Sequence, residues 1–353
     1  MRDRGCNIVK QDVEQGSGMT RATVRDVAKA TGLSIATVSR VLNGQANVAR
    51  HTRELVLRAV DELGAQAPRP RGAKPVGSIH VRCPYLLDDY FGLIVSSVAE
   101  TLALHGRQVL LDAGTPGQRT TVLPGLPSRS DVDGALLILP PEPAEELVRL
   151  RDRRFPFVVV DPRTELPRDV ASVSAAHFAG ARRLMAHLVE LGHRRIGIIG
   201  GPSDWLAADG RLAGYAAALS DVGVLPSAEL LRHVDEPTTG HGHRVARELL
   251  GLPDRPTALV AFNDKMAVGV LRAARELGLS VPGDVSVAGF DDLDLSRATR
   301  PELTTVRQPL QEMGRMAVTL LMRLLERHEL EALHVELATE LVVRESTGPV
   351  RPA

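Results

Sequence analysis

In the stretch RDVAKATGLSIATVSRVLNGQANV, residues 25–48, an arginine and several hydroxyls are spaced so that one helix can present them together. If Val38 and Leu42, four residues apart, turn inward, Ile35, Ala36, Ser39 and Arg40 face outward. An outward arginine among hydroxyls is chemistry for nucleic acid, because a guanidinium fork matches the guanine edge and hydroxyls reach phosphate. The surrounding segment supports this. Residues 19–75 hold ten basic residues against four acidic ones, a net charge of +6 in a chain whose total is zero. A basic head on an acidic body is the charge layout of a nucleic-acid-binding domain joined to something else. A plain three-helix module with a chance basic excess is the alternative.

Elsewhere the chain offers little reactive chemistry. It has no P-loop, G-x-S-x-G, H-E-x-x-H or Cys/His metal pattern. GIIGGP lacks the dinucleotide-binding spacing and reads as a strand end and turn. His233, His241 and His243 fall in a Gly-containing loop with no further ligand, a weak case for a metal. No nucleophile or paired-acid constellation points to an enzyme. Cys6 and Cys83 offer at most one pair, which fits a reducing compartment. No apolar run approaches membrane-helix length, and the first residues are charged where a signal peptide needs an apolar segment. A cytoplasmic protein with no membrane partner is expected.

The elements that must hold the head residues are legible. Val24, Val27 and Ala28 share a face of a helix beginning near Thr23, and Gly32 suits the positive φ of a tight helix–helix turn. Ser34 suits an N-cap that accepts from the amides near Thr37. A third helix from about Arg50 places Leu55, Val56, Ala59, Val60 and Leu63 at helical spacing. Together these form a helix-turn-helix, whose second helix lies in the major groove. After residue 75, short apolar strands such as GALLILP, PFVVV and RRIGIIGG alternate with amphipathic helices. Two such series predict two α/β subdomains of parallel sheet with a cleft at the carboxyl ends of the strands. The apolar stripe of MGRMAVTLLMRLLER reads first as core and second as dimer surface.

TVRDVAKATGLSIATVSRVLNG resembles the N-terminal signature of the lactose repressor (LacI/GalR) family of bacterial transcription regulators. HLVELGHRRIGIIGGP, RLAGY, AFNDKMAVGVLRAARELGLSVPGDVSVAGFDD, PELTTVRQPLQEMGRMAV and TELVVREST are similar to further blocks of that family, covering most of residues 20–348. The resemblance implies an all-α helix-turn-helix head and an α/β, periplasmic-binding-protein-like body. It implies base-reading positions at Ile35, Ala36 and Arg40, and phosphate contacts at Thr37, Ser39, Asn43 and Thr52. In the body it implies effector contacts at Arg211, Asn263 and Asp291, with Tyr90, Phe91 and Trp205 as candidate stacking or cleft-edge rings. No cofactor and no metal are implied, only a small effector of sugar or nucleoside class. The partners implied are a second copy of the chain and near-palindromic double-stranded operator DNA.

The expected organisation is an extension or misplaced start over 1–19, a DNA-binding domain over 20–66, a linker over 67–75 and the body over 76–347. Within the body, 76–172 with 307–330 form one subdomain and 173–306 with 331–347 the other. Departures from the family pattern are local. Ala176 and His177 stand where the family often has Asp-Asn, and GTPGQRTTVLPGLPSRSD has lost helical character through its Gly and Pro residues. The family usually follows its third helix with a hinge helix that wedges the minor groove. Here LGAQAPRPRGAKPVG supplies neither that helix nor a wedging Leu. Arg69 and Arg71 on a proline-stiffened arm suit electrostatic tracking of a minor groove, and a plain solvated linker is the even alternative. The function expected is a sequence-specific DNA-binding regulator, a repressor of a sugar or other carbon-metabolism operon. The alternative is a ligand-binding module or sugar-acting enzyme with an incidental helical head.

Overall fold

The computed structural model describes residues 23–42, 48–63, 77–85, 87, 89–114, 122–328 and 333–351. Asn43, Arg69 and Arg71 lie outside these. The chain divides into two compact units, residues 1–75 and 76–353.

The first unit holds α1 (Val24–Thr31), α2 (Ile35–Leu42) and α3 (Arg50–Leu63). The N–H and hydroxyl of Thr23 both donate to Asp26, at 2.6 and 2.8 Å, closing the start of α1. Gly32 ends that helix at φ +68°, a left-handed conformation that a side chain would resist. Ser34 then caps α2, its Oγ accepting from the Thr37 amide at 3.1 Å. Val27, Ala28, Val38, Val41 and Val56 form the small core. Two expectations need correction. Val41 is the fully inward partner of Val38 while Leu42 is only half-buried, and Leu55 is 39% exposed. With 3.6 residues per turn, Val38 and Val41 straddle the line facing α1, and a single α3 residue, Val56, fills the centre.

The second unit alternates strands and helices: β1 (Ser78–Cys83), α4 (Asp89–Leu104), β2 (Val109–Ala113), β3 (Val132–Ile138), α5 (Ala144–Asp152), β4 (Phe157–Val160) and β5 (Ser172–Ala175). It continues with α6 (His177–Glu190), β6 (Ile196–Gly200), α7 (Leu206–Ser220), β7 (Leu231–His233), α8 (Thr239–Leu250), β8 (Ala258–Ala261), α9 (Asp264–Glu276) and β9 (Ser286–Ala288). It closes with α10 (Asp294–Ala298), β10 (Thr305–Arg307), α11 (Leu310–Leu325), β11 (His334–Leu337) and β12 (Glu340–Val342). One parallel sheet has the order β11-β5-β4-β3-β1-β2 and the other β7-β6-β8-β9; β10 and β12 pair antiparallel. The first sheet is covered on both faces, which explains the unbroken apolar run of β3. Leu136 and Ile138 share the core of α4 and α11, while Ala135 and Leu137 pack with Leu147 and Leu150 of α5. The stripe of α11 is therefore core.

Three further expectations shift. Both β5 and β11 belong to the first sheet, which moves the division between lobes past Ala175 and brings residues 334–337 across. Leu123–Ser128 forms a short 3-10 helix that buries Leu123 and Leu126, so some helical character survives the prolines there. His241 and His243 lie on α8, not in a loop. The glycines that suggest a loop are instead what let α8 meet α9. A Cβ on Gly242 would stand 2.3 Å from the Met266 carbonyl oxygen, and one on Gly269 would stand 2.2 Å from that of Thr239.

Candidate functional site

Two surfaces hold the residues singled out by the sequence, one in each unit. On α2, burial of Val38 and Val41 leaves Ile35, Ala36 and Arg40 exposed, with Ile35 at 50%. Thr37 and Ser39 are half-buried on the flanks, and Thr52 is half-buried in the first turn of α3. The Thr37 hydroxyl is 2.8 Å from that of Ser34, so one small network both closes the helix start and positions a phosphate-capable group. The outward face of α2 thus combines a guanidinium fork with two apolar side chains. That set can read a guanine edge and touch a thymine methyl.

The second surface is a cavity of about 270 Å³ in the second unit. Tyr90, Phe91, Trp205, Arg211, Asn263 and Asp291 all line it. They come from separated elements for one reason: each stands at the carboxyl end of a parallel strand or in the helix that follows, where such sheets open a crevice. Phe91 stacks on Tyr85 at 5.3 Å, and Tyr85 meets Trp205 edge-on at 6.4 Å. The Arg163 guanidinium lies over both the Trp205 and Tyr85 rings, at 4.9 and 5.6 Å. Leu139, Asp161 and Asp291 line the cavity with φ of +46°, +52° and +127°. Positive φ at residues other than glycine is held in place only by surrounding structure, and such positions concentrate at functional sites.

Beneath the rings runs a buried polar chain. The Tyr90 hydroxyl donates to Asp161 at 2.7 Å, and His177 Nε2 lies 2.9 Å from the other carboxylate oxygen. Two guanidinium nitrogens of Arg211 reach His177 Nδ1 at 3.4 Å. Because Arg211 can only donate, Nδ1 accepts and Nε2 carries its proton toward Asp161. Arg211 also donates to the Phe262 carbonyl and lies over the Phe290 and Phe262 rings, at 3.8 and 4.3 Å. Its charge stands 3.8 Å from Asp291, which accepts from Gln308 at 2.6 Å.

This environment sets the protonation states. Burial alone would raise Asp161, but His177, Tyr90 and Arg211 overcome it and hold the carboxyl below its usual range. Burial, Asp161 and Asp291 keep the Tyr90 phenol well above its ordinary value, so it remains a donor. Burial pushes Asp291 up to about 7 against the opposing pull of Arg211 and Gln308. Asp264, behind it, is raised well above the carboxylate range by burial and by Asp291. Its two oxygens meet the Thr305 hydroxyl at 2.5 Å and the Leu293 amide at 2.9 Å.

Asp161, Tyr85, Glu236, Phe262 and Lys265 also line the cavity, and His177 and Gln308 support it from behind, although the sequence reading did not assign them contacts. Asp161 had a usable signal, since it ends the apolar run FVVV. Among the described residues, no group of three or more His, Cys, Asp and Glu could hold a metal ion. Among the same residues, no helix is long and apolar enough to cross a membrane.

Comparison with known proteins finds matches in both units. Residues 23–65 match the family described as bacterial regulatory proteins, lacI family, and residues 185–347 match the periplasmic binding protein-like domain. The chain is 33% identical over 336 residues to the HTH-type transcriptional repressor CytR of Escherichia coli strain K12, covering 93% of this chain and 97% of that protein. It is 36% identical to the HTH-type transcriptional regulator MalR of Streptomyces coelicolor, covering 92% and 96%. Among solved structures, a complex of the transcriptional regulator CelR with cellobiose is similar at a TM-score of 0.70 and 34% identity, over 92% of this chain and all of that one. The lac repressor dimer bound to operator and the anti-inducer ONPF is similar at 0.74 and 26%, over 93% of this chain and all of that one. The chain belongs to the LacI family of bacterial regulatory proteins and is a DNA-binding transcriptional regulator, not an enzyme.

Proposed function

We propose that this regulator is a homodimeric repressor of a carbon-metabolism operon that reads a near-palindromic operator and responds to a sugar or nucleoside held in the cavity of its body. The observation that carries the DNA reading is the exposed face of α2, where Ile35, Ala36 and Arg40 stand clear of the core. Arg40 donates to guanine O6 and N7, and Ile35 and Ala36 make apolar contacts. Thr37, Ser39, Asn43 and Thr52 hold the phosphate backbone and fix the register. Arg69 and Arg71 add electrostatic contact along the minor groove. The working units are residues 20–66 for DNA, 67–75 as linker and 76–347 for effector and dimerisation, preceded by the 1–19 extension. The effector sits among Arg211, Asn263, Asp291, Tyr90, Phe91 and Trp205, and its binding alters the spacing of the two heads.

Fluorescence anisotropy with the gene's own upstream DNA tests this reading. Sequence-selective binding is expected, with Arg40→Ala losing about 1–3 kcal/mol and relaxing specificity at one position of each half-site. Equal affinity for scrambled DNA would overturn the operator reading.

A further inference from the structure

We infer that the cavity selects against anions, so that the effector is an uncharged, hydroxyl-bearing compound and not a phosphate ester or carboxylate. This inference rests on the reading of the cavity as the effector site. Three independent features support it.

The first is that the buried cation is already engaged. Arg211 is 4% exposed and donates to the Phe262 carbonyl and His177, with Phe262 and Phe290 rings against its plane. It presents no open fork for the paired oxygens of a phosphate or carboxylate. The second is that two of the helix starts at the cavity, those of α8 and α9, are closed from within. Asn263 Oδ1 accepts from the Met266 amide at 3.0 Å, and Thr238 Oγ1 accepts from the His241 amide at 3.2 Å. Both residues line the cavity, so the amides of α9 and α8 that would otherwise attract an anion are capped by the lining itself.

The third is the sign of the lining. Asp161, Glu236 and Asp291 face the space against Arg211 and Lys265. Asp161 accepts from the Tyr90 hydroxyl at 2.7 Å and lies 2.9 Å from His177 Nε2, which hold it ionised, and Lys265 already has a partner. A phosphate entering here would shed its water beside the buried Asp161 carboxylate, while Arg163, over the Tyr85 and Trp205 rings, already donates to the Leu139 carbonyl and the Tyr85 hydroxyl. A hydroxyl, in contrast, donates to a carboxylate and accepts from the amide nitrogen of Asn263 at little desolvation cost. Tyr85, Phe91 and Trp205 supply apolar wall for the remaining surface of the compound.

Trp205 is the only tryptophan in the chain and lines the cavity, so its emission reports occupancy without a label. The full-length protein is titrated with glucose, cellobiose, adenosine and a wider set of neutral saccharides and nucleosides. Each is matched to its phosphate or carboxylate counterpart, such as glucose 6-phosphate, cellobionate and AMP, at constant ionic strength. The expected result is a saturable change in Trp205 emission with one neutral compound and binding of its anionic counterpart weaker by about 100-fold or more. Glu236→Gln, on the half-exposed rim, is expected to narrow that ratio several-fold while thermal unfolding stays unchanged. An anion that binds as tightly as its neutral parent overturns the selection while leaving the effector site standing. Emission that answers to no compound of either kind overturns the effector reading itself, and the selection with it.

Discussion

Replacing Arg211 with Met keeps much of the side-chain length and removes the charge from the centre of the buried polar chain. In the folded protein this guanidinium stands 3.8 Å from Asp291 and 3.8 Å from the Phe290 ring, and it donates to the Phe262 carbonyl. Breaking a buried pair by removing one partner costs about 3–5 kcal/mol, because the other charge is left uncompensated. The loss should also depend on pH, and its sign follows from Asp291. That carboxyl is raised from 3.8 to about 7, so the folded state keeps a proton that the unfolded chain has released. The contribution of Asp291 to wild-type stability therefore falls as pH rises through this window and levels off above about 7. Arg211 opposes the rise, so without it the carboxyl titrates at a higher pH and the decline continues. By linkage the gap between variant and wild type should be roughly 1 kcal/mol wider at pH 8 than at pH 6. Urea unfolding of both proteins at the two pH values measures this, and adding Asp291→Asn should erase the pH-dependent part. A gap that is the same at pH 6 and 8, or that persists unchanged in the double variant, would refute the coupling.

The head should separate stability from recognition. Val38→Ala, at a site with no solvent exposure, should cost about 2 kcal/mol of head stability, read by the melting of far-UV helical signal, whereas Arg40→Ala should leave that melting unchanged and relax operator specificity at one position of each half-site. Tyr90→Phe removes the 2.7 Å donor to Asp161 and should cost about 1.5–3 kcal/mol, measured by thermal unfolding, with part restored by Asp161→Asn. Changing Arg69 and Arg71 together to Ala should lower the slope of log affinity against log salt by about 2 in magnitude, and an unchanged slope would remove the arm from the DNA.

The local devices of the head were readable because they are local. Gly32 at positive φ, the Ser34 cap and the spacing of apolar residues act within a few positions, and the exposure of Arg40 follows once Val38 turns inward. The parallel α/β body was likewise legible from the alternation of short apolar strands with amphipathic helices. Which of its residues meet was less so. The resemblance named Arg211, Asn263 and Asp291, but Asp161 and His177 become partners only when β4 and α6 bring them to 2.9 Å. No spacing rule connects an aspartate after one strand to a histidine on the helix of the other lobe. The helical state of His241 and His243 was hidden for a similar reason. Glycine reads as a loop signal along the chain, yet here two glycines permit close contact of α8 with α9, a demand made by the neighbouring helix. The sequence by itself therefore determined the kinds of element, their order and the exposed face of α2, because propensity, capping and periodicity act over one or two turns. Only the tertiary structure decided the charge state and wiring of the cavity, because burial and the approach of distant charges set them, and both exist only after the two sheets are packed.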